Sequence, residues 1–172
     1  TASGTHTFAS EGSATLQGVC TDLAGNSGSS AQAAITVGSA NRVPATPTGL
    51  AQYGEAAGAP AAVGFTDTDG TVVVRAGVAD PDGDAVHLEL EWQPIGTSFA
   101  GLGSAGPSFA SGSTALLTLG LTDGSYHWQL RAVDAGGAAS AWVPFGGNSE
   151  AAPDFVIAVA APLANQAPNP PA

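Results

Sequence analysis

Between residues 71 and 159 apolar and polar side chains alternate with a period of two, the repeat of strands with one buried face. "TVVVRAGVAD" places Val72, Val74, Ala76 and Val78 on one side. "AVHLELEWQ" points Val86, Leu88, Leu90 and Trp92 inward and His87, Glu89, Glu91 and Gln93 outward. "TALLTLGL" contributes Ala115, Leu117, Leu119 and Leu121. "SYHWQLRAVD" contributes Tyr126, Trp128, Leu130 and Ala132, with His127, Gln129, Arg131 and Val133 on its other side. "PDFVIAV" closes the set with Phe155, Ile157 and Val159. The separators "DTDG", "DPDGD", "TDG", "DAGG" and "FGGN" are turn signals. No segment keeps a helical period. Five or more antiparallel strands with one apolar face each must pack sheet on sheet, so the expected class is all-β.

Two proline-bearing stretches bracket this region. "NRVPATP" and "NQAPNPP" share an Asn followed by Pro at the third and sixth positions: Asn41, Pro44 and Pro47, then Asn165, Pro168 and Pro171. Such segments favour extended, semi-rigid backbone. Their separation of 124 residues suits one sandwich plus a linker, and implies neighbouring modules in the same polypeptide. The expected layout is an incomplete domain at 1–40, a linker at 41–48, a sandwich at 49–161 and a second linker at 162–172.

Composition sharpens the setting. The 24 glycines and 12 prolines fit frequent turns. There is no lysine, only Arg42, Arg75 and Arg131 against fourteen carboxylates, for a formal net charge of −11. Three scattered arginines cannot neutralise a phosphate backbone, which excludes nucleic acid, or hold an anionic membrane surface. The lack of lysine also rules out Lys–Asn isopeptide crosslinks. No stretch reaches the roughly 18–20 apolar residues of a membrane span, and any signal peptide or anchor is expected outside these residues. Cys20, the single cysteine, alternates with Leu16 and Gly18 and is expected as a buried, inert thiol; the alternative is a bridge to a partner outside the chain.

Residues 44–161 resemble a fibronectin type III or related immunoglobulin-like repeat of bacterial surface proteins. "PATPTGL" resembles the first strand of that family, and Trp92 stands where its third strand carries a core tryptophan. "LTDGSYHWQLRAVDAGGAASAW" resembles the sixth strand and following loop, with Leu121 and Tyr126 matching the tyrosine-corner pair. "QPIGTSFAGLGSAGPSFASGS", residues 93–113, departs from the family and reads as a loop or a pair of irregular edge strands. Residues 1–40 resemble the last three strands of a different bacterial Ig-like repeat, with Asp22, Gly25 and Asn26 forming its "D-L-A-G-N" corner. Forty residues bury too little surface to stand alone, and their open edge could accept a strand from another copy. Together these imply an immunoglobulin/fibronectin III-like antiparallel β-sandwich preceded by a partial β-domain.

The candidate chemistry is sparse. "DPDGD" sets Asp80, Asp82 and Asp84 at alternate positions, and the resemblance puts Asp134 of "DAGG" beside them. Calcium takes about six to eight oxygens at roughly 2.3–2.6 Å, from carboxylates converging on a flexible loop. These four residues are therefore the candidate calcium site, against the alternative of a bare type I turn. Asp67 and Asp69 of "FTDTDG" make a weaker one at the opposite pole. His87 and His127 are expected on the solvent face, in cross-strand pairs with Arg131 and Glu91. No nucleophile, zinc or phosphate-loop motif is present, and no enzyme activity is expected. Tyr53, Phe65, Trp142 and Phe145 fall outside the alternation and are candidates for stacking on a sugar ring.

The expected function is a non-catalytic structural or adhesive module of a long bacterial extracellular or cell-surface protein, stiffened by calcium. Its partners would be neighbouring modules, other copies of itself or a surface glycan or protein. One alternative is a spacer or carbohydrate-binding region of a secreted polysaccharide-degrading enzyme. Another is a fibre subunit assembling by strand complementation.

Overall fold

The computed structural model describes residues 7, 11–55 and 57–159, which fall into two compact units divided at Asn41/Arg42. The second linker, with Asn165, Pro168 and Pro171, lies outside the described residues.

In the first unit β1 (Gly12–Leu16) pairs antiparallel with β4 (Ala33–Val37), and β2 (Val19–Thr21) with β3 (Ser27–Ser29). The β2–β3 turn is the corner expected from "D-L-A-G-N". Asp22 Oδ1 accepts the N–H groups of Ala24 and Asn26, and Gly25 sits at φ 88°, a conformation glycine adopts without strain. The Asn26 side chain, with these N–H groups, holds the exposed Asp22 carboxyl below its ordinary range. The strands are exposed almost throughout. Cys20 is accordingly an exposed free thiol, not a buried one. Its strand breaks after Leu16, and among the described residues no second layer covers the two-stranded ribbons.

The second unit is a sandwich. β5 (Thr48–Tyr53), β7 (Thr71–Gly77) and β10 (Thr114–Gly120) form a sheet in the order β10-β7-β5. The larger sheet runs β6-β13-β11-β8-β9. It comprises β6 (Phe65–Asp67), β8 (Val86–Pro94), β9 (Ser104–Phe109), β11 (Gly124–Asp134) and β13 (Phe155–Ile157). β12 (Val143–Pro144) pairs with β11 off this path. The chain leaves the small sheet after β5 and joins the large one at β6, which runs parallel to β13. This is the one departure from the all-antiparallel expectation. The central strands otherwise show the immunoglobulin-like arrangement.

The inward residues of both sheets merge into one core: Val72, Val74, Ala76, Val86, Leu88, Leu90, Ala115, Trp128, Leu130, Ala132 and Phe155 are buried to 0% exposure. Trp92 is only partly buried; its cross-strand partner Trp128 holds the centre. The tyrosine corner is present, with Tyr126 Oη donating to the Thr122 carbonyl at 3.0 Å. Gly70, at φ 83°, passes so close to the Leu121 carbonyl that a Cβ would lie 2.9 Å from it. Residues 95–103 form a loop and 104–109 an irregular edge strand, bulged between its pairings to His87 and Glu89. Pro107 on that edge disfavours addition of a further strand.

Candidate functional site

The "DPDGD" loop lies between β7 and β8. Asp80 Oδ1 accepts the N–H groups of Asp82 at 2.8 Å and Asp84 at 3.2 Å, closing the turn from within. Its other oxygen is buried without a hydrogen-bond partner. Asp82 faces a residue of its own chain. Its Oδ1 accepts Arg42 Nε at 2.7 Å, its Oδ2 accepts the Arg42 backbone N–H at 2.6 Å, and Arg42 Nη2 donates to the Pro81 carbonyl. The guanidinium and that N–H hold the Asp82 carboxyl below its ordinary range. Asp134 Oδ1 caps the next loop through the Ala138 N–H at 2.9 Å.

No three or more Asp, Glu, His or Cys side chains among the described residues converge as a metal-binding group, and Asp80, Asp82, Asp84 and Asp134 are not brought together as one. With a guanidinium on Asp82, this donor set as it stands does not fit calcium. Asp67 of the second acidic stretch likewise serves as a turn former, its Oδ1 accepting the N–H groups of Asp69, Gly70 and Thr71.

Arg42 also changes the character of the first linker. Pro44 and Pro47 are buried, and the Ala45 N–H donates to the Ala79 carbonyl at 2.9 Å. The entry segment is thus docked on the sandwich. A cavity of about 230 Å³ between residues 45–48, 77–79 and 112–113 marks where it lies.

The outer face of the large sheet differs most from expectation. The observed register sets Gln129 opposite Glu91, Arg131 opposite Glu89 and His127 opposite Gln93, two residues away from the anticipated pairing. His127 is not on the solvent face: it is 3% exposed, beneath the Phe99 ring, which stacks on it at 4.2 Å. Its Nδ1 lies 2.5 Å from Glu150 Oε2 and its Nε2 2.8 Å from the Thr97 carbonyl. With Nε2 facing a carbonyl, the ring does not present it to a serine. Glu91 is 2% exposed and accepts the N–H groups of Ala100 at 2.6 Å and Gly101 at 2.9 Å, with Gln129 Nε2 at 2.8 Å. Burial pushes its carboxyl up, yet these donors and Gln93 outweigh it and the net shift is downward.

The four unassigned aromatics all have partners within the sandwich. Phe145 stacks on Trp128 at 4.5 Å, and Phe65 tilts against Phe155 at 6.2 Å. Arg75 lies over Tyr53 at 4.4 Å and Arg131 over Trp142 at 4.7 Å. Sequence reasoning missed the roles of Arg42, Glu91 and Glu150. For the first, the signal was available: in a lysine-free chain each arginine is a scarce positive charge, and an acidic loop is its natural destination.

No family model matches the chain, and no curated protein does. Two solved structures are similar to it. The PKD domain of an M14-like peptidase from a Thermoplasmatales archaeon is 20% identical, with a TM-score of 0.37 over 62% of this chain and 94% of that one. The fibronectin(III)-like modules of Clostridium thermocellum CbhA are 17% identical, with a TM-score of 0.38 over 88% of this chain. The match covers 64% of the CbhA structure, just under two thirds of its length. No helix among the described residues is long and apolar enough to cross a membrane.

Proposed function

We propose that the chain is a non-catalytic structural module of a long, multi-domain bacterial extracellular or cell-surface protein, a spacer that holds adhesive or filament-forming partners apart. The observation that carries this reading is what the sandwich does with its acids. Asp67, Asp80, Glu91, Asp134 and Asp154 each accept a backbone N–H of a loop or strand. Catalysis needs an acid or base turned toward a substrate; these carboxylates are turned toward their own backbone. The acidity that reads as affinity for a cation is, on this view, the means by which a small, glycine-rich sandwich fixes its turns.

Affinity electrophoresis of the whole chain, in gels containing soluble polysaccharides, tests the proposal against a carbohydrate-binding role. Unretarded mobility is expected. Retardation that Trp142→Ala abolishes would move the chain to the accessory region of a polysaccharide-degrading enzyme.

A further inference from the structure

We propose that His127 is a proton-operated clasp, joining the loop at 95–103 to the segment at 145–152 only while the His127–Glu150 pair carries two protons. The Thr97 carbonyl can only accept, so Nε2 must carry a hydrogen. The 2.5 Å approach of Nδ1 to Glu150 Oε2 needs a second proton between them, whichever atom owns it. Removal of one proton leaves a neutral ring and a carboxylate. Two lone pairs then face each other at Glu150, or, in the other tautomer, at Thr97. One arm of the clasp must open.

The pair is surrounded by an aromatic face and by acids. Phe99 covers the ring at an interplanar angle of 23°, and a π-face attracts a cation. Two acids stand on the far segment, Glu150 and Asp154, the latter in electrostatic contact with both His127 and Glu150, while Glu91 on β8 is bonded to the neighbouring Gln129. Opposite the ring on β8 stands the neutral Gln93, and the 95–103 loop brings Thr97 and Phe99, neither ionisable. Arg131 is held by Glu89. Residues of both arms, Ile95, Thr97, Ser98, Glu150 and Ala151, line a cavity of about 280 Å³ together with His127. The second proton is lost as pH rises, so the clasp holds on the acid side and loosens on the alkaline side.

Glu150→Gln provides a discriminating variant. Its amide can donate to a neutral Nδ1 while Nε2 keeps its hydrogen for Thr97, so both arms close without the extra proton. The experiment is hydrogen exchange of the full chain between about pH 5 and pH 9, corrected for intrinsic base catalysis, alongside ring-nitrogen NMR of His127. In the wild type, protection at 96–101 should fall by about tenfold as the second proton leaves, with Glu150→Gln protected throughout. Two results would overturn the clasp: protection unchanged while the ring titrates, or the same pH profile in Glu150→Gln.

Discussion

Asp82 accepts two hydrogen bonds from Arg42, one from Nε and one from the backbone N–H. The loop that reads as a calcium ligand therefore has a cation of its own, from the residue that opens the sandwich unit. A guanidinium already bonded to Asp82 competes with a calcium ion for that carboxylate. With Arg42 on Asp82, melts of the wild type in EDTA and in millimolar calcium should agree within about a degree. Arg42→Ala should gain a calcium-dependent rise of several degrees, which Asp82→Ala then removes. A rise in the wild type, lost in both Asp82→Ala and Asp84→Ala, would show calcium displacing the arginine.

Glu91 fastens the 95–103 loop through the N–H groups of Ala100 and Gly101. Glu91→Ala leaves both part-buried donors without their acceptor and should cost about 1–3 kcal/mol, while Glu91→Gln, which keeps an acceptor oxygen, should cost less. Because the folded carboxyl lies below its ordinary range, its contribution is complete above the unfolded value of about 4.3 and is lost as pH falls through the folded one. Urea midpoints of wild type and Glu91→Gln should thus converge in acid. A gap that persists undiminished at the lowest pH would show that the carboxylate charge is not what holds the loop.

The inner faces of the sandwich were mostly legible because a period of two specifies them: Val72, Leu88, Leu90, Leu119 and Trp128 are buried where the alternation points, whereas Trp92 is only partly buried and Val159, at the end of its strand, is exposed. The outer face was not. Alternation distinguishes the core side from the other side, but it does not say whether the other side meets water. Here loops cover it, and His127, Gln129 and Glu91 become buried polar residues. The register between β8 and β11 was missed for a related reason. No hairpin joins these strands, so no turn pins their pairing. "DPDGD" was correctly located as a turn, yet its partner lies 40 residues back at Arg42, beyond the reach of local spacing.

Gln52 joins the two sheets through the core. From β5 it donates Nε2 to the Ala62 and Asp154 carbonyls, at 3.0 and 2.7 Å, and its Oε1 accepts Trp128 Nε1 at 3.0 Å. Gln52→Leu preserves much of the volume and deprives these groups of a partner at a site of 0% exposure. The expected loss is about 2–4 kcal/mol. A double-mutant cycle with Trp128→Phe, read by urea unfolding, should show coupling of about 1 kcal/mol. Strict additivity would mean that the indole N–H finds a substitute acceptor and that the staple across the sheets contributes nothing.

Asp154 should respond to pH in the opposite sense to Glu91. It is 2% exposed. Burial pushes its carboxyl up, against the pull of the Trp128 N–H and the Asn148 side chain; Glu150 pushes it up further and His127 draws it down, for a net rise. A folded value above the unfolded one means that the native state binds the proton more readily. Stability is then greatest with the carboxyl protonated, declines as pH climbs from about 3.9 through the folded value, and levels off beyond it. Asp154→Asn keeps an oxygen to accept the Trp128 N–H, whose distance to Oδ2 is 2.9 Å, and carries no charge. Its urea midpoint relative to wild type should rise with pH, leaving it at least as stable above neutrality. If Asp154→Asn is instead weakened more at pH 8 than at pH 4, the charged carboxylate is the favoured native form, and its burial is compensated by donors stronger than these.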